Sequence, residues 1–557
     1  MLTLSSASRR ARRAVIVTVA LLTFSSACTT SAKSAGPPAT TRGTVPPAPQ
    51  CRPPATGAVH AVAVAGVPGD WVITSFDGAQ IRVHWFPLRD AAGPRVPTVL
   101  MGPGWGLGGD TGTTSTGLYG TLSIKGLRTA GYNVVTWDPR GFGQSTGTVE
   151  VDSAGAEERD VARVIDWVAT RPGVELDGAR DPRVGMVGAS YGGGIQIVTA
   201  AIDCRVDAIV PSWAWHSLTT SLYKAQTAKI GWSRLLYSVA SSRQLDPHIH
   251  SAYTSATAAG VIDSADQAWF ASRGPGSGLV NRIRVPTLFV QGTVDTLFTL
   301  DEAVTNYRIL RANGVPTAMI WFCGGHGVCL TAPGDGQRVE QRTMLWLSRY
   351  LKRDQAVDTG PGFEMVDQNG KSYTADHYPL DAAAPIIADG HGTLTLTPAG
   401  GAGPAHPRPD NPDLLAGIVA PFTPAKAANA VDVNVAFGGG SGAQASMVVG
   451  APQLRLTYRG TVKAGRRPSR VFAQLVEPKT GLVLGNQITP IDVTLDGREH
   501  TITVPLEMVA YRAEPGGSLL LQLVATTVAY SQPRLDGSIE MSAHLVLPVV
   551  TNLVARS

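Results

Sequence analysis

The chain has 557 residues, 43% of them apolar and 16% charged, which is length enough for two to four domains with substantial buried cores. That composition excludes a disordered polyelectrolyte, and 62 Gly and 39 Pro without a triplet period exclude collagen. The net charge is +5, but four of the positive charges are Arg9, Arg10, Arg12 and Arg13, so the body of the chain is nearly neutral and carries no basic excess of the kind nucleic-acid binding needs.

Those arginines precede an apolar run over residues 14–27, AVIVTVALLTFSSA. It is too short for a comfortable membrane span and fits the core of an export signal over residues 1–27; a short N-terminal membrane anchor is the alternative. Cys28 follows Ser25-Ser26-Ala27 and resembles the lipidated cysteine of a bacterial lipobox, with Ser25 where Leu or Val is usual. Ser8-Arg9-Arg10 resembles part of a twin-arginine signal, with Arg12 and Arg13 in place of its apolar residues. An exported protein is expected, either a cell-surface lipoprotein or a secreted one. Residues 28–56 are rich in Pro, Ser, Thr and Ala and read as a semi-extended tether. No later run reaches the roughly 20 apolar residues that spanning needs, which leaves a lipid anchor as the expected contact with a membrane.

Export makes disulfides permissible. Cys323 and Cys329 bracket Gly324-Gly325-His326-Gly327-Val328, where a bridge would close a short loop around a histidine. Cys51 and Cys204 would then pair by elimination; free buried thiols are the alternative. No second Cys/His pair has metal-ligand spacing, and no metal or other cofactor is expected.

Residues 57–354 read as an α/β unit. Residues 58–90 alternate apolar and polar around Asp77-Gly78, a strand–turn–strand signal. The apolar runs PTVLM, YNVVTW, RVGMVG, DAIVPSW and TLFVQG then alternate with helical patterns such as EERDVARVIDWVAT and LDEAVTNYRILRANG, as in a mostly parallel sheet. Residues at about 214–280, rich in Trp, Tyr, Ser and Ala, interrupt that rhythm and read as a mostly helical lid. From 355 to 557 short strand patterns recur, among them QLRLTYRG, RVFAQLVE and HTITVPL, which predicts an antiparallel β-sandwich.

Gly188-Ala189-Ser190-Tyr191-Gly192 fits G-x-S-x-G between a strand and a helix, the turn that lifts a serine hydroxyl above a sheet. The Tyr191 N–H then heads a helix, where it can stabilise an oxyanion. Gly143-Gln144-Ser145-Thr146-Gly147 also fits the pattern, but no strand ends directly before it and no apolar helix follows. In this order of elements the acid comes next and the histidine last. Asp295 stands just past the strand PTLFVQG; its rival Asp301 precedes a helix and reads as an N-cap. His326 stands just past the strand TAMIWF between glycines, where a general base fits. His248 and His250 lack a third partner for a metal. The loop Gly102-Pro103-Gly104-Trp105-Gly106 follows PTVL; Pro103 has no N–H, so Trp105 is the second candidate oxyanion donor.

With these motifs the chain resembles α/β-hydrolases of the Xaa-Pro dipeptidyl-peptidase-like (S15-like) and acyl-esterase (CocE/NonD) superfamily, which includes cocaine esterase-like enzymes. The residues that carry the resemblance are the Gly188-Ala189-Ser190-Tyr191-Gly192-Gly193 turn and Asp138-Pro139-Arg140-Gly141-Phe142-Gly143-Gln144-Ser145, with Trp215-His216-Ser217-Leu218 and Ile230-Gly231-Trp232 similar to the lid of bacterial members. The resemblance covers about residues 65–550. It implies an α/β-hydrolase core, a C-terminal jelly-roll of the galactose-binding-like kind and acyl transfer through Ser190, His326 and Asp295. The family's His-Gly-Trp-Gly stands here as Pro103-Gly104-Trp105-Gly106, which loses a side chain and keeps the backbone donor.

An active serine hydrolase acting on a small ester or amide is the expected function. An Xaa-Pro dipeptidyl peptidase acting on short peptides is the first alternative; it needs a carboxylate for the substrate's ammonium and a small slot for proline. A dead hydrolase whose β-sandwich binds a surface glycan is the second, and a structural surface protein the third.

Overall fold

A computed structural model describes residues 58–88, 93–114, 123–406 and 414–556. The expected export signal, Cys28, the tether and Cys51 lie outside the described residues. The described residues form one compact unit.

The centre is a twelve-stranded sheet. It opens with β1 (Ala61–Ala63), β2 (Asp70–Thr74) and β3 (Gln80–Phe86), which pair antiparallel in that order, β2 and β3 across the Asp77-Gly78 turn. Then come β4 (Thr98–Gly102) and β5 (Asn133–Trp137), a short ribbon of β6 (Leu176–Gly178) and β7 (Asp181–Pro182) outside the sheet, and β8 (Val184–Ala189) and β9 (Val206–Ser212). β10 (Thr287–Gly292), β11 (Thr317–Phe322), β12 (Phe363–Val366) and β13 (Ser372–Ala375) follow. The spatial order is β1-β2-β3-β5-β4-β8-β9-β10-β11-β12-β13, closed by Val554–Ala555, and every neighbour pair from β5 to β12 is parallel.

Successive side chains on a strand face opposite ways, and two apolar clusters follow from that. Met186 and Phe289 join one with Ile195, Ala303 and Tyr307; Val187, Leu288 and Val290 join the other with Ile124, Leu127 and Trp346. Thus α2 (Glu157–Val168), α3 (Tyr191–Ile202) and α9 (Leu300–Ala312) cover one face, and α1 (Ile124–Thr129) and α10 (Arg338–Tyr350) the other. Between β9 and β10 lie five helices, α4 (Leu218–Leu222), α5 (Ile230–Ala240), α6 (Pro247–Ala259), α7 (Ser264–Ala271) and α8 (Gly276–Val280). Among the described residues no helix is long and apolar enough to cross a membrane.

Beyond the sheet the chain is mostly β. One four-stranded sheet holds Ile386–Leu396, Gly537–Leu547, Gln453–Val462 and Asp496–Pro505; a second holds Ala430–Ala436, Ser518–Val524, Arg470–Val476 and Thr489–Asp492. Alternate residues of both, such as Val433, Leu456, Leu475 and Leu521, share one apolar core. The boundary expected at 354/355 is corrected here. β12 and β13 lie past it and extend the central sheet, and the strand Val554–Ala555 returns to pair with β13. Asp301 is corrected too: Thr299 occupies the N-cap of α9 and Asp301 its first turn.

A buried ionic cluster ties the helical insertion to the β region. Glu507, 3% exposed, accepts a 2.7 Å bond from Lys224 Nζ. Burial pushes the Glu507 carboxyl up, but Lys224 and Lys229 outweigh it and hold it below its ordinary value. Lys229, also buried, donates to the Leu297 carbonyl at 3.0 Å, and burial lowers its ammonium to about 8. Removing one member of a buried charge group strands the others. Glu507→Gln is therefore expected to cost about 3 kcal/mol of stability, read by urea unfolding at neutral pH; a loss below about 1 kcal/mol would reject the cluster as a fastening.

Candidate active site

β8 runs straight into α3 through Ser190, whose φ of 58° and ψ of −119° lie outside the ordinary helical and strand regions. The neighbours must be small. A Cβ at Gly192 would collide with the Gly102 carbonyl, and one at Gly194 with the Trp215 ring. The Ser190 carbonyl accepts from the N–H groups of Gly193 (2.8 Å) and Gly194 (2.9 Å). The Tyr191 N–H is the first of the helix, where no intrahelical acceptor exists.

The loops after β10 and β11 bring the other two residues to this turn. His326 Nε2 lies 2.8 Å from Ser190 Oγ, and His326 Nδ1 lies 2.9 Å from Asp295 Oδ2. Asp295 is 0% exposed. Its Oδ2 also accepts from the His326 N–H at 3.0 Å, and its Oδ1 from the N–H groups of Leu297 (3.0 Å) and Phe298 (2.8 Å). With Nδ1 facing a carboxylate, the ring proton belongs on Nδ1 and Nε2 is free to accept from the serine. Trp232 and Phe298 meet the His326 ring edge-on, at 5.6 and 5.1 Å between centroids. Cys323 and Cys329 are disulfide-bonded and close the loop around His326. Cys204 is disulfide-bonded as well.

Trp105 packs edge-on against Phe142 (5.0 Å) and Tyr191 (5.3 Å), and its Nε1 donates to the Leu236 carbonyl at 3.0 Å. It lines the same two cavities as Ser190. Ser145 is placed elsewhere. Its buried Oγ donates to the Asp138 carbonyl and accepts from the Arg82 N–H, so it braces the loop that Asp138 organises. His248 pairs with Asp266 at 2.7 Å and His250 with the Tyr237 hydroxyl at 2.8 Å; among the described residues no group of three ligand side chains suits a metal.

Three contributions escaped the sequence reading. Gln487 Nε2 donates to the Asp295 carbonyl at 2.7 Å, and Asn486 Nδ2 to the Val328 carbonyl at 2.8 Å. The β region thus grips both loops. The one local signal is Gly485-Asn486, both with positive φ. The third lies behind the serine, where the Tyr191 hydroxyl is 3.3 Å from Glu157 Oε1 and accepts from the Asp152 N–H at 3.3 Å.

The α/β sheet, the serine turn and this linked set define a serine hydrolase of the α/β class. Residues 77–327 match the model of the family described as X-Pro dipeptidyl-peptidase (S15 family). Over those residues the chain is similar to that family. A CocE/NonD family hydrolase from Staphylococcus aureus shares the fold with a TM-score of 0.63 at 12% identity, over 87% of this chain and 93% of that one. An aminopeptidase from a marine sediment Thaumarchaeota archaeon does so with a TM-score of 0.60 at 13% identity, over 93% of this chain and 100% of that one. An uncharacterized 31.7 kDa protein of Escherichia coli, from a traX-finO intergenic region, is 34% identical over 86 residues, 15% of this chain; the match spans 28% of that curated relative.

Burial pushes the Glu157 carboxyl up to about 7 from its ordinary 4.5. Between those values the unfolded chain releases this proton while the folded chain keeps it, so the folded state loses stability as pH rises from 4.5 to 7. Glu157→Gln has no such proton. Its stability relative to the wild type should rise across that window by at most about 3 kcal/mol, read by urea unfolding at pH 4.5, 6 and 7.5; a constant difference would contradict the assignment.

Proposed function

We propose that this protein is an exported hydrolase that cleaves acyl esters or amides through an acyl-enzyme on Ser190. One observation carries the reading: a continuous chain of hydrogen bonds from buried Asp295 through His326 to Ser190 Oγ. His326 Nε2 takes the hydroxyl proton as Oγ attacks the substrate carbonyl, and Asp295 stabilises the imidazolium. The N–H groups of Tyr191 and Trp105 receive the oxyanion. His326 then returns the proton to the leaving group. A water that His326 deprotonates cleaves the acyl–Ser190 ester and regenerates the hydroxyl.

Helices α4–α7 supply one wall of the cavity at Ser190, which supports reading the insertion as a lid. Two four-stranded sheets around one core support a jelly-roll of the galactose-binding-like kind. Disulfide bonding at Cys323 and Cys329 supports an oxidising compartment, in keeping with export and with lipidation at Cys28. A second reading, cleavage of an Xaa-Pro dipeptide from a peptide N-terminus, is favoured by the description of the matching family.

A fluorophosphonate probe tests the nucleophile. Wild type and Ser145→Ala should be labelled and Ser190→Ala should not, with its esterase kcat lower by roughly 10⁴ or more. Labelling that survives Ser190→Ala would refute the assignment. A folded wild type that takes no label would return weight to a surface binding protein.

A further inference from the structure

Ser190 lines two chambers. One is lined by Ser190, Tyr191 and Trp105 together with residues of the helical insertion such as Leu222, Ile249 and Phe270. The other is lined by Ser190 and His326 with residues such as Gly104, Asp110 and Trp213. Trp105 and Leu236 contribute to both.

Proton delivery decides which end of a substrate enters which chamber. A general acid must reach the atom that leaves. His326 lines the second chamber and is not among the residues lining the first, so the leaving group belongs in the second. The acyl group then points the other way, past Tyr191 into the insertion.

That acyl chamber carries no charge. Among its described lining residues none is Asp, Glu, Lys, Arg or His. Its polar side chains are largely spent on the protein itself. Gln267 donates to the Ile262 carbonyl, Ser233 to the Lys229 carbonyl, Thr219 bonds Ser217, and the Tyr237 hydroxyl bonds His250. Asp152 and Glu157 line a separate small space behind Tyr191 that Ser190 does not reach. A substrate ammonium in the acyl chamber would lose its water and gain no counter-charge. The rim of the leaving-group chamber is apolar as well: Leu107, Val239 and Ile418 are 59%, 46% and 50% exposed there.

We infer that the chamber formed by the insertion is an acyl-chain site, and that the substrates are esters of uncharged, apolar carboxylic acids such as medium-chain fatty acids, rather than peptides bearing a free α-ammonium. This rests on Ser190 being the nucleophile. Each methylene moved from water into such a chamber favours the bound states by an amount equivalent to about three- to fourfold in kcat/KM.

The test is a series of p-nitrophenyl esters with the purified protein, run beside glycyl-prolyl p-nitroanilide and the p-nitrophenyl ester of 6-aminohexanoic acid. From acetate to hexanoate kcat/KM should rise on the order of 100-fold. The aminohexanoate ester and the anilide should lie far below hexanoate. Ala252→Phe, which fills the chamber, should bring the hexanoate-to-acetate ratio close to one, with fluorophosphonate labelling reporting that the variant is folded. A flat or falling series, or an anilide turned over faster than hexanoate, would overturn the acyl-chain site. If acetate is still cleaved by wild type and not by Ser190→Ala, the serine-hydrolase reading survives that result. If no substrate is cleaved and no label is taken, both readings fall.

Discussion

A single buried carboxylate organises the candidate site. Asp295 is cut off from solvent, and four N–H groups converge on its two oxygens, one of them the His326 ring. An unpaired charge there would be costly, so the partners are held as firmly as the charge is. The Leu297 and Phe298 amides fix the turn after β10. The His326 amide fixes the loop after β11, and the ring bond sets which nitrogen faces Ser190. The serine is held independently, by the strained turn between β8 and α3. The loops after the adjacent parallel strands β10 and β11 thus meet because one acceptor needs both.

The β region takes part in this arrangement. Gln487 and Asn486 satisfy the carbonyls of Asp295 and Val328, and Glu507 neutralises lysines of the helical insertion. Lys229, part of that cluster, also bonds Leu297, next to Phe298 in the same turn. Loop backbone that must be buried has to find partners, and here they come from the connection between Arg470–Val476 and Thr489–Asp492 of the β region. The insertion, the acid and base loops and the β region are therefore mechanically continuous around Ser190.

What could be read from the sequence was local. The small residues beside Ser190 are dictated by collisions with Gly102 and Trp215, and the glycines around His326 by its tight loop, so both motifs are written in consecutive residues. The parallel strands were legible as continuous apolar runs, being buried on both faces. The end of the central sheet was not. Phe363–Val366 and Ser372–Ala375 are short, and β13 joins antiparallel, so their pattern matches the sandwich strands that follow. Thr299 was overlooked as the α9 cap because Asp301 offers a stronger capping side chain two residues later. Asn486 and Gln487 act on carbonyls 158 and 192 residues away, a relation that no local pattern encodes.

We propose that Asp295 acts by holding His326 in the tautomer that accepts the Ser190 proton. Asp295→Asn keeps the size and the bonds from the Leu297 and Phe298 amides, but its NH2 group facing the ring forces the wrong tautomer. The direct measurement is kcat of this variant on an activated ester at neutral pH, with unfolding checked alongside. A loss of roughly 10⁴ in a folded variant is the expected result; a loss below about tenfold would contradict the account.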